Sequence, residues 1–267
     1  MIPKVLTIAG SDSSGAAGAQ ADLKTYEARS VYGLSALTLV TAQDSTGIQV
    51  LHPLPLEFIA AQIDAVLADV GAEVVKTGLL LRAEVIQLVA QKIAHYQVKN
   101  LVVDPVMVAG DGRRLLNEAA DQAYITELFP RALIITPNID EAQLLTGRRV
   151  QNMTEMYIAA EVLHQMGPRY VLIKGGHLQQ GNEVIDLLYD GKDFTELHSE
   201  RLPTWNARGT GCTFASCIAA EVAKGQNVVE ACGIAKRYVA GALRAASGWS
   251  MGKGRGTVYH GFEHAAK

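Results

Sequence analysis

The segment richest in chemistry is Arg208-Gly209-Thr210-Gly211-Cys212-Thr213, which runs directly into the apolar helical pattern starting at Phe214. Glycines ahead of a helix expose free backbone N–H groups. Together with the helix dipole these groups make a hole for a phosphate or for developing negative charge, so a transferring phosphoryl group is one natural occupant. A thiol at such a terminus has its anion favoured, which would let Cys212 take a proton from a substrate hydroxyl. The plainer alternative is a small buried residue after a glycine turn. Cys217 and Cys232 fall inside helical patterns and read as core.

Other candidates follow apolar runs. Gly10 opens a stretch of small residues, 10–18, with Asp22 about a turn further on; small side chains let a ligand approach the backbone, and a carboxylate accepts from hydroxyl or amino groups. Gln43, in 41–47, carries an amide that both donates and accepts, as the edge of a heterocycle requires. Asp104, followed by Pro105 and Val106, and Asn138 with Glu141 supply oxygen ligands of the kind magnesium prefers; the alternative for the second pair is a helix capping box. Lys174 stands before two glycines and could meet phosphate oxygens, while the nearby His177 reads as a polar turn residue. The stretch 252–256, Gly-Lys-Gly-Arg-Gly, reads as a flexible basic surface loop, because no strand precedes it and no helix follows.

These groups need a frame that brings loop segments together. Strand patterns cover 5–9, 35–41, 74–76, 101–103, 133–136 and 170–174, with helical patterns over 16–29, 56–70, 82–95, 116–128, 153–166, 213–224 and 229–247. Near-continuously apolar strands alternating with helices predict an α/β fold, a three-layer α/β/α sandwich with a mainly parallel central sheet. Runs at 185–189 and 194–197 around Gly191-Lys192-Asp193 predict an antiparallel hairpin at one sheet edge. Ligands of such sheets bind beyond the carboxyl ends of the strands, where the candidate residues fall.

Composition narrows the classes. The chain has 267 residues, 49% hydrophobic and 19% charged, as expected of one folded domain spanning 1–267. A net charge of −3 offers no global field for nucleic acid or an anionic membrane, and any anion site must be local. The longest uncharged window, 30–43, is too short and too polar to span a bilayer, and no export leader is visible. Three cysteines without metal spacing suit reduced thiols, and a cytoplasmic setting is expected. There is no Walker A stretch, no serine nucleophile elbow and no protein-kinase signature.

In order along the chain, the stretches 7–15 (Thr-Ile-Ala-Gly-Ser-Asp-Ser-Ser-Gly), 20–25 (Gln-Ala-Asp-Leu-Lys-Thr), 104–109 (Asp-Pro-Val-Met-Val-Ala), 136–142 (Thr-Pro-Asn-Ile-Asp-Glu-Ala), 174–177 (Lys-Gly-Gly-His) and 209–213 (Gly-Thr-Gly-Cys-Thr) resemble the hydroxymethylpyrimidine/phosphomethylpyrimidine kinases of thiamine biosynthesis, of the ribokinase-like superfamily. The resemblance runs from residue 5 to about 260. It implies a sandwich of nine or a similar number of strands. It also implies ATP-dependent phosphorylation of 4-amino-5-hydroxymethyl-2-methylpyrimidine to its monophosphate, then to the diphosphate, at one site.

By matching position, Gly10, Asp22, Gln43 and Val106 would hold the pyrimidine, and Cys212 would be the base. The Gly209, Thr210, Gly211 and Cys212 backbone would form the anion hole, and Asn138, Lys174 and Arg208 would lie on the nucleotide side. Glu141 and Asp104 would serve Mg2+. Arg208 stands where the family often has His, and Gly110-Asp111-Gly112 where Lys-Ser-Gly is common. Kinases of this family are often dimers, so a homodimer through the edge hairpin is expected. The rival enzyme is a pyridoxal kinase on the same scaffold, against which Gln43 argues, since pyridoxal lacks the amine and adjacent ring nitrogen an amide would read. The rival of another class is a non-catalytic sensor of the pyrimidine or a nucleotide.

Overall fold

A computed structural model of the chain describes residues 2–110, 112–178 and 181–265. In chain order its elements are β1 (Lys4–Asp12), α1 (Gly18–Ala28), β2 (Tyr32–Asp44), β3 (Gly47–Pro53), α2 (Leu56–Ala65), β4 (Val74–Thr77), α3 (Ala83–His95), β5 (Leu101–Val103), α4 (Glu118–Ala123), β6 (Ile134–Ile135), α5 (Ile139–Thr146), α6 (Met153–His164), β7 (Tyr170–Ile173), β8 (Glu183–Tyr189), β9 (Phe194–Glu200), α7 (Thr210–Ala223) and α8 (Val228–Ala246). The described strands form one nine-stranded sheet in the order β3-β2-β1-β4-β5-β6-β7-β8-β9. From β2 through β7 the pairing is parallel, while β3 at one edge and β8 and β9 at the other are antiparallel.

Period-two burial explains the layers. Leu6, Ile8, Leu101 and Val103 face a core completed by α2 to α6, whereas Val5, Val74 and Val102 face a second core under α1, α7 and α8. Helix α3 shows the logic in sequence: Val85, Ile86, Val89, Ala90 and Ile93 fall on one face and are all buried. The expected three-layer sandwich is present, and so is the edge hairpin, as β8 and β9.

Two elements are additions to the sequence reading. Strand β3 lies on the sheet edge with most of its side chains half-buried or exposed, so it lacks the apolar run of the central strands. Helix α5 begins at the stretch read above as metal ligands or a cap: Asn138 accepts from Glu141 N–H while Glu141 accepts from Asn138 N–H, a complete capping box. Helix α7 starts at Thr210, earlier than the predicted 213, which puts Cys212 inside its first turn. The predicted helix 56–70 is α2 plus a π-helical turn, 66–70, that ends at Gly71 with φ of 70°.

Candidate active site

Because β1 and β4 to β7 are parallel, the residues that follow them emerge on one side of the sheet. The candidate phosphate cradle is built on α7. Its N-cap, Gly209, has φ of 80°, and a Cβ there would stand 1.7 Å from the Ala16 carbonyl oxygen, so only glycine lets the loop after β1 close against the helix start. Among the described residues, nothing accepts from the Gly211 or Cys212 N–H, and both are therefore available to an anion. The Lys174 ammonium lies 3.2 Å from where a Gly211 Cβ would be, which places a fixed cation beside those amides. Thr210 sits at the head of the same turn, its hydroxyl donating to the Ala207 carbonyl at 3.0 Å.

Lys174 is itself held by Asp104 at 2.8 Å, and Thr136 Oγ1 donates to the same carboxylate oxygen at 3.1 Å. Burial works against the Asp104 anion, but Lys174 and Lys76 outweigh it and hold the carboxyl below its ordinary range. Asp104, expected among the magnesium ligands, thus already has a cation in Lys174. Glu141 is different. Both of its oxygens accept backbone N–H groups, from Asn138 at 2.8 Å and Met107 at 3.3 Å, yet burial pushes its carboxyl up to about 7. Such a carboxylate fits a further cation nearby, and magnesium bridged by water to its oxygen suits that donor set better than direct ligation. Asn138, expected on the nucleotide side, uses its side-chain oxygen as the cap of α5 and pairs through its backbone with Lys174.

Cys212 is half-buried, and the Gly18 N–H is among the groups that favour its anion. Loss of hydration pushes its thiol up to about 11 against the pull of Lys76. The resting group is therefore a thiol and not the thiolate expected from the helix dipole alone.

Beneath it lies a cluster the sequence reading did not assemble. Lys76, fully buried in β4, bonds both oxygens of Asp22 at 3.0 and 2.9 Å; Thr7 and Ser216 hydroxyls donate to the same carboxylate at 2.6 Å each. Burial opposes the Lys76 ammonium most strongly, but Asp22, together with the Cys212, Asp104 and Tyr26 groups around it, keeps the amine above its ordinary range. Asp22, expected to read the pyrimidine, has no exposed surface and accepts four hydrogen bonds from three protein groups, so it offers no open acceptor here. The sequence signal for this cluster was a lysine inside an otherwise apolar strand, since lysine is almost never fully buried without a partner.

On the other side of the loop after β1, Gln43 sits at the overhanging end of β2. Its backbone N–H donates to Ser13 Oγ at 2.8 Å, while its side-chain oxygen accepts from Thr41 at 3.3 Å. Gly10 is buried, and a Cβ there would meet Leu39 at 2.8 Å; Val106 is half-buried just past β5. Arg208 joins the two sides: Nη2 donates to Ser14 Oγ at 3.1 Å and lies 3.6 Å from Asp12. Asp12 fixes the loop by accepting from Ser14, Ala16 and Ala17 N–H. His177 pairs with Asp140 on the surface, as a turn residue would. Asp111 and the altered stretch around it lie partly outside the described residues.

A helix start with free amides, a lysine over them and an adjacent thiol, at the carboxyl ends of a sheet of this order, define the ribokinase-like class of small-molecule kinases. The phosphomethylpyrimidine kinase family model matches residues 12–259. The chloroplastic thiamine biosynthetic bifunctional enzyme of Arabidopsis thaliana is 49% identical over 91% of this chain, but the chain spans 47% of that relative's length. The hydroxymethylpyrimidine/phosphomethylpyrimidine kinase of Bacillus subtilis is 43% identical over 97% of this chain and 95% of its own. A solved ADP complex of Bacillus subtilis pyridoxal kinase superposes with a TM-score of 0.91 at 37% identity, covering 100% of both chains. The chain belongs to the phosphomethylpyrimidine kinase family. No helix of the described residues is long and apolar enough to cross a membrane.

Proposed function

We propose that the chain, acting as one unit over 1–267, transfers the γ-phosphate of ATP to 4-amino-5-hydroxymethyl-2-methylpyrimidine and then to the resulting monophosphate. The observation that carries this is the pair of unpartnered amides at Gly211 and Cys212 beneath the Lys174 ammonium, in a chain of this family. The terminal phosphate would rest on those amides, with Lys174 and Arg208 offsetting its charge and Asn138 bordering the nucleotide. Magnesium, held through water by Glu141, would neutralise the phosphates and orient them.

Gln43 would read the amino group and ring nitrogen of the pyrimidine, with Gly10 and Val106 lining its faces. Cys212 would receive the hydroxyl proton as a thiolate, formed when its resting thiol gives its own proton to solvent water, a loss that Lys76 beneath it favours. Asp22 would act through Lys76, holding the cation in place. All three cysteines stand free of disulfides, as a proposed cytoplasmic setting would have them, and the edge hairpin β8–β9 is the proposed contact in a homodimer.

Pyridoxal is the second reading, supported by the whole-length match to a pyridoxal kinase. The test is to incubate the protein with magnesium-ATP and, separately, the hydroxymethylpyrimidine, its monophosphate and pyridoxal, and to weigh each product. Mono- and diphosphate products are expected, absent with Cys212→Ala; phosphorylation of pyridoxal alone would replace the pyrimidine reading.

A further inference from the structure

The stretch 252–256, which reads in the sequence as a flexible basic loop, is fastened at both ends. In the turn between β2 and β3, Ser45 Oγ accepts from the Lys253 N–H at 3.0 Å and the Gly254 N–H at 2.9 Å. A Cβ on Gly252 would stand 2.4 Å from that same Oγ, and one on Gly254 would stand 2.2 Å from the Ser45 carbonyl oxygen. At the other end the Gly256 carbonyl accepts from Arg208 N–H at 3.1 Å, and a Gly256 Cβ would stand 2.0 Å from Asn206 Oδ1. Asn206 is buried and donates to the Ala246 and Trp249 carbonyls at 2.5 and 2.9 Å. Alternate glycines are thus required because the backbone itself touches both partners.

Those partners belong to the two halves of the site. Ser45 lies just beyond Gln43, and Asn206 and Arg208 lead into Gly209. The β1–β2 pairing ends at Asp12 and Thr41, so the end of β2 and its turn overhang the parallel sheet. Besides its own pairing with β3, the overhang is tied by Ser13 to the loop after β1 and by Ser45 to residues 253 and 254.

We infer that residues 252–256 act as a clasp that holds the β2–β3 turn, and Gln43 with it, against the phosphate cradle, making Ser45 and Gly254 positioning residues for the acceptor. The inference rests on the proposed placing of the pyrimidine at Gln43. If unfastening lowers the fraction of molecules with the turn in place to about a tenth, the apparent affinity for the acceptor falls about tenfold, while the cradle, built on α7, keeps its affinity for ATP.

The experiment compares the full chain with Gly254→Ala, which forces the Ser45 carbonyl away, and Ser45→Ala, which removes the acceptor without a clash. KM is measured for the pyrimidine and for ATP, and acrylamide quenching is measured on Trp249, with Trp205→Phe as the background. Gly254→Ala is expected to raise KM for the pyrimidine about tenfold and Ser45→Ala about threefold, with KM for ATP within about twofold. Quenching of Trp249 is expected to increase in both. Unchanged quenching, an unchanged acceptor KM, or equal rises in both KM values would overturn the clasp. Absence of turnover on any acceptor would sink the pyrimidine reading and leave quenching to decide the clasp: increased, it stands; unchanged, it falls.

Discussion

The phosphate cradle and the acceptor-side hairpin both lean on the loop after β1, but different forces hold them. The cradle is fixed from below: Lys76 and Asp22 are fully buried, Lys174 is paired to Asp104, and Gly209 is locked against Ala16. The hairpin overhangs the sheet and is held by hydrogen bonds between half-exposed groups at Ser13 and Ser45. On the proposed reading, the parts that would neutralise phosphate charge are built into the core, where reorganisation is small, and the part that would choose the acceptor is built on an edge. Such a division lets an edge hairpin change its ligand while the transfer machinery stays intact, consistent with the match of one fold to both pyrimidine and pyridoxal kinases.

The largest effect is expected at the meeting of the two regions. Cys212→Ala should lower kcat by about 10²- to 10⁴-fold, the range for loss of a positioned proton acceptor, with KM for ATP little changed. Steady-state kinetics on the pyrimidine check this, and a loss below tenfold would remove Cys212 from proton transfer. Next, Lys76→Met leaves the Asp22 carboxylate buried without its cation and should cost about 3–5 kcal/mol of stability in denaturant titrations. If Lys76→Met unfolds no more easily than a hairpin variant, the contrast between a core-built cradle and an edge-built hairpin fails.

Gln43→Leu sharpens the contrast from the other side. Gln43 is half-exposed on the overhang, so stability should change by less than about 0.5 kcal/mol, while kcat/KM for the pyrimidine falls about ten- to a hundredfold through the lost hydrogen bonds. Activity unchanged on the pyrimidine, or lost equally on every acceptor, would deny Gln43 its reading role.

What the sequence made legible follows the same division. The sandwich was readable because its central strands are continuously apolar and its helices periodic, signals that burial itself writes. The meeting of Gly209, Gly211, Cys212 and Lys174 at one helix start was readable because glycines before a helix and a lysine at the end of an apolar strand mark where those elements begin and end. Asp22 was legible as a residue and not as a role, since its partners Lys76 and Ser216 come from distant parts of the chain and only the fold joins them. Strand β3 and the clasp were missed for a related reason: an exposed edge and a glycine-rich stretch look alike in sequence, whether or not a distant serine is there to fasten them.

The smallest expected effect concerns Glu141, which sits with the cradle and shares the Lys174 charge with Asp104 but forms no ion pair of its own among the described residues. Its carboxyl is raised from 4.5 to about 7 in the folded chain. Between those values the folded state holds a proton that the unfolded state has released, so the stabilisation is full below 4.5 and is lost as pH rises through 7. Metal-free protein should therefore lose stability as pH is raised across that interval, and Glu141→Gln should flatten the profile. Magnesium with a nucleotide should steepen its own binding over the same interval, because a cation needs the ionised carboxylate. Melting curves at stepped pH, with and without magnesium-nucleotide, check both slopes. A wild-type profile already flat would mean that the Asn138 and Met107 amides suffice to hold Glu141 ionised, and that the cradle is as complete at this corner as it is at Lys76.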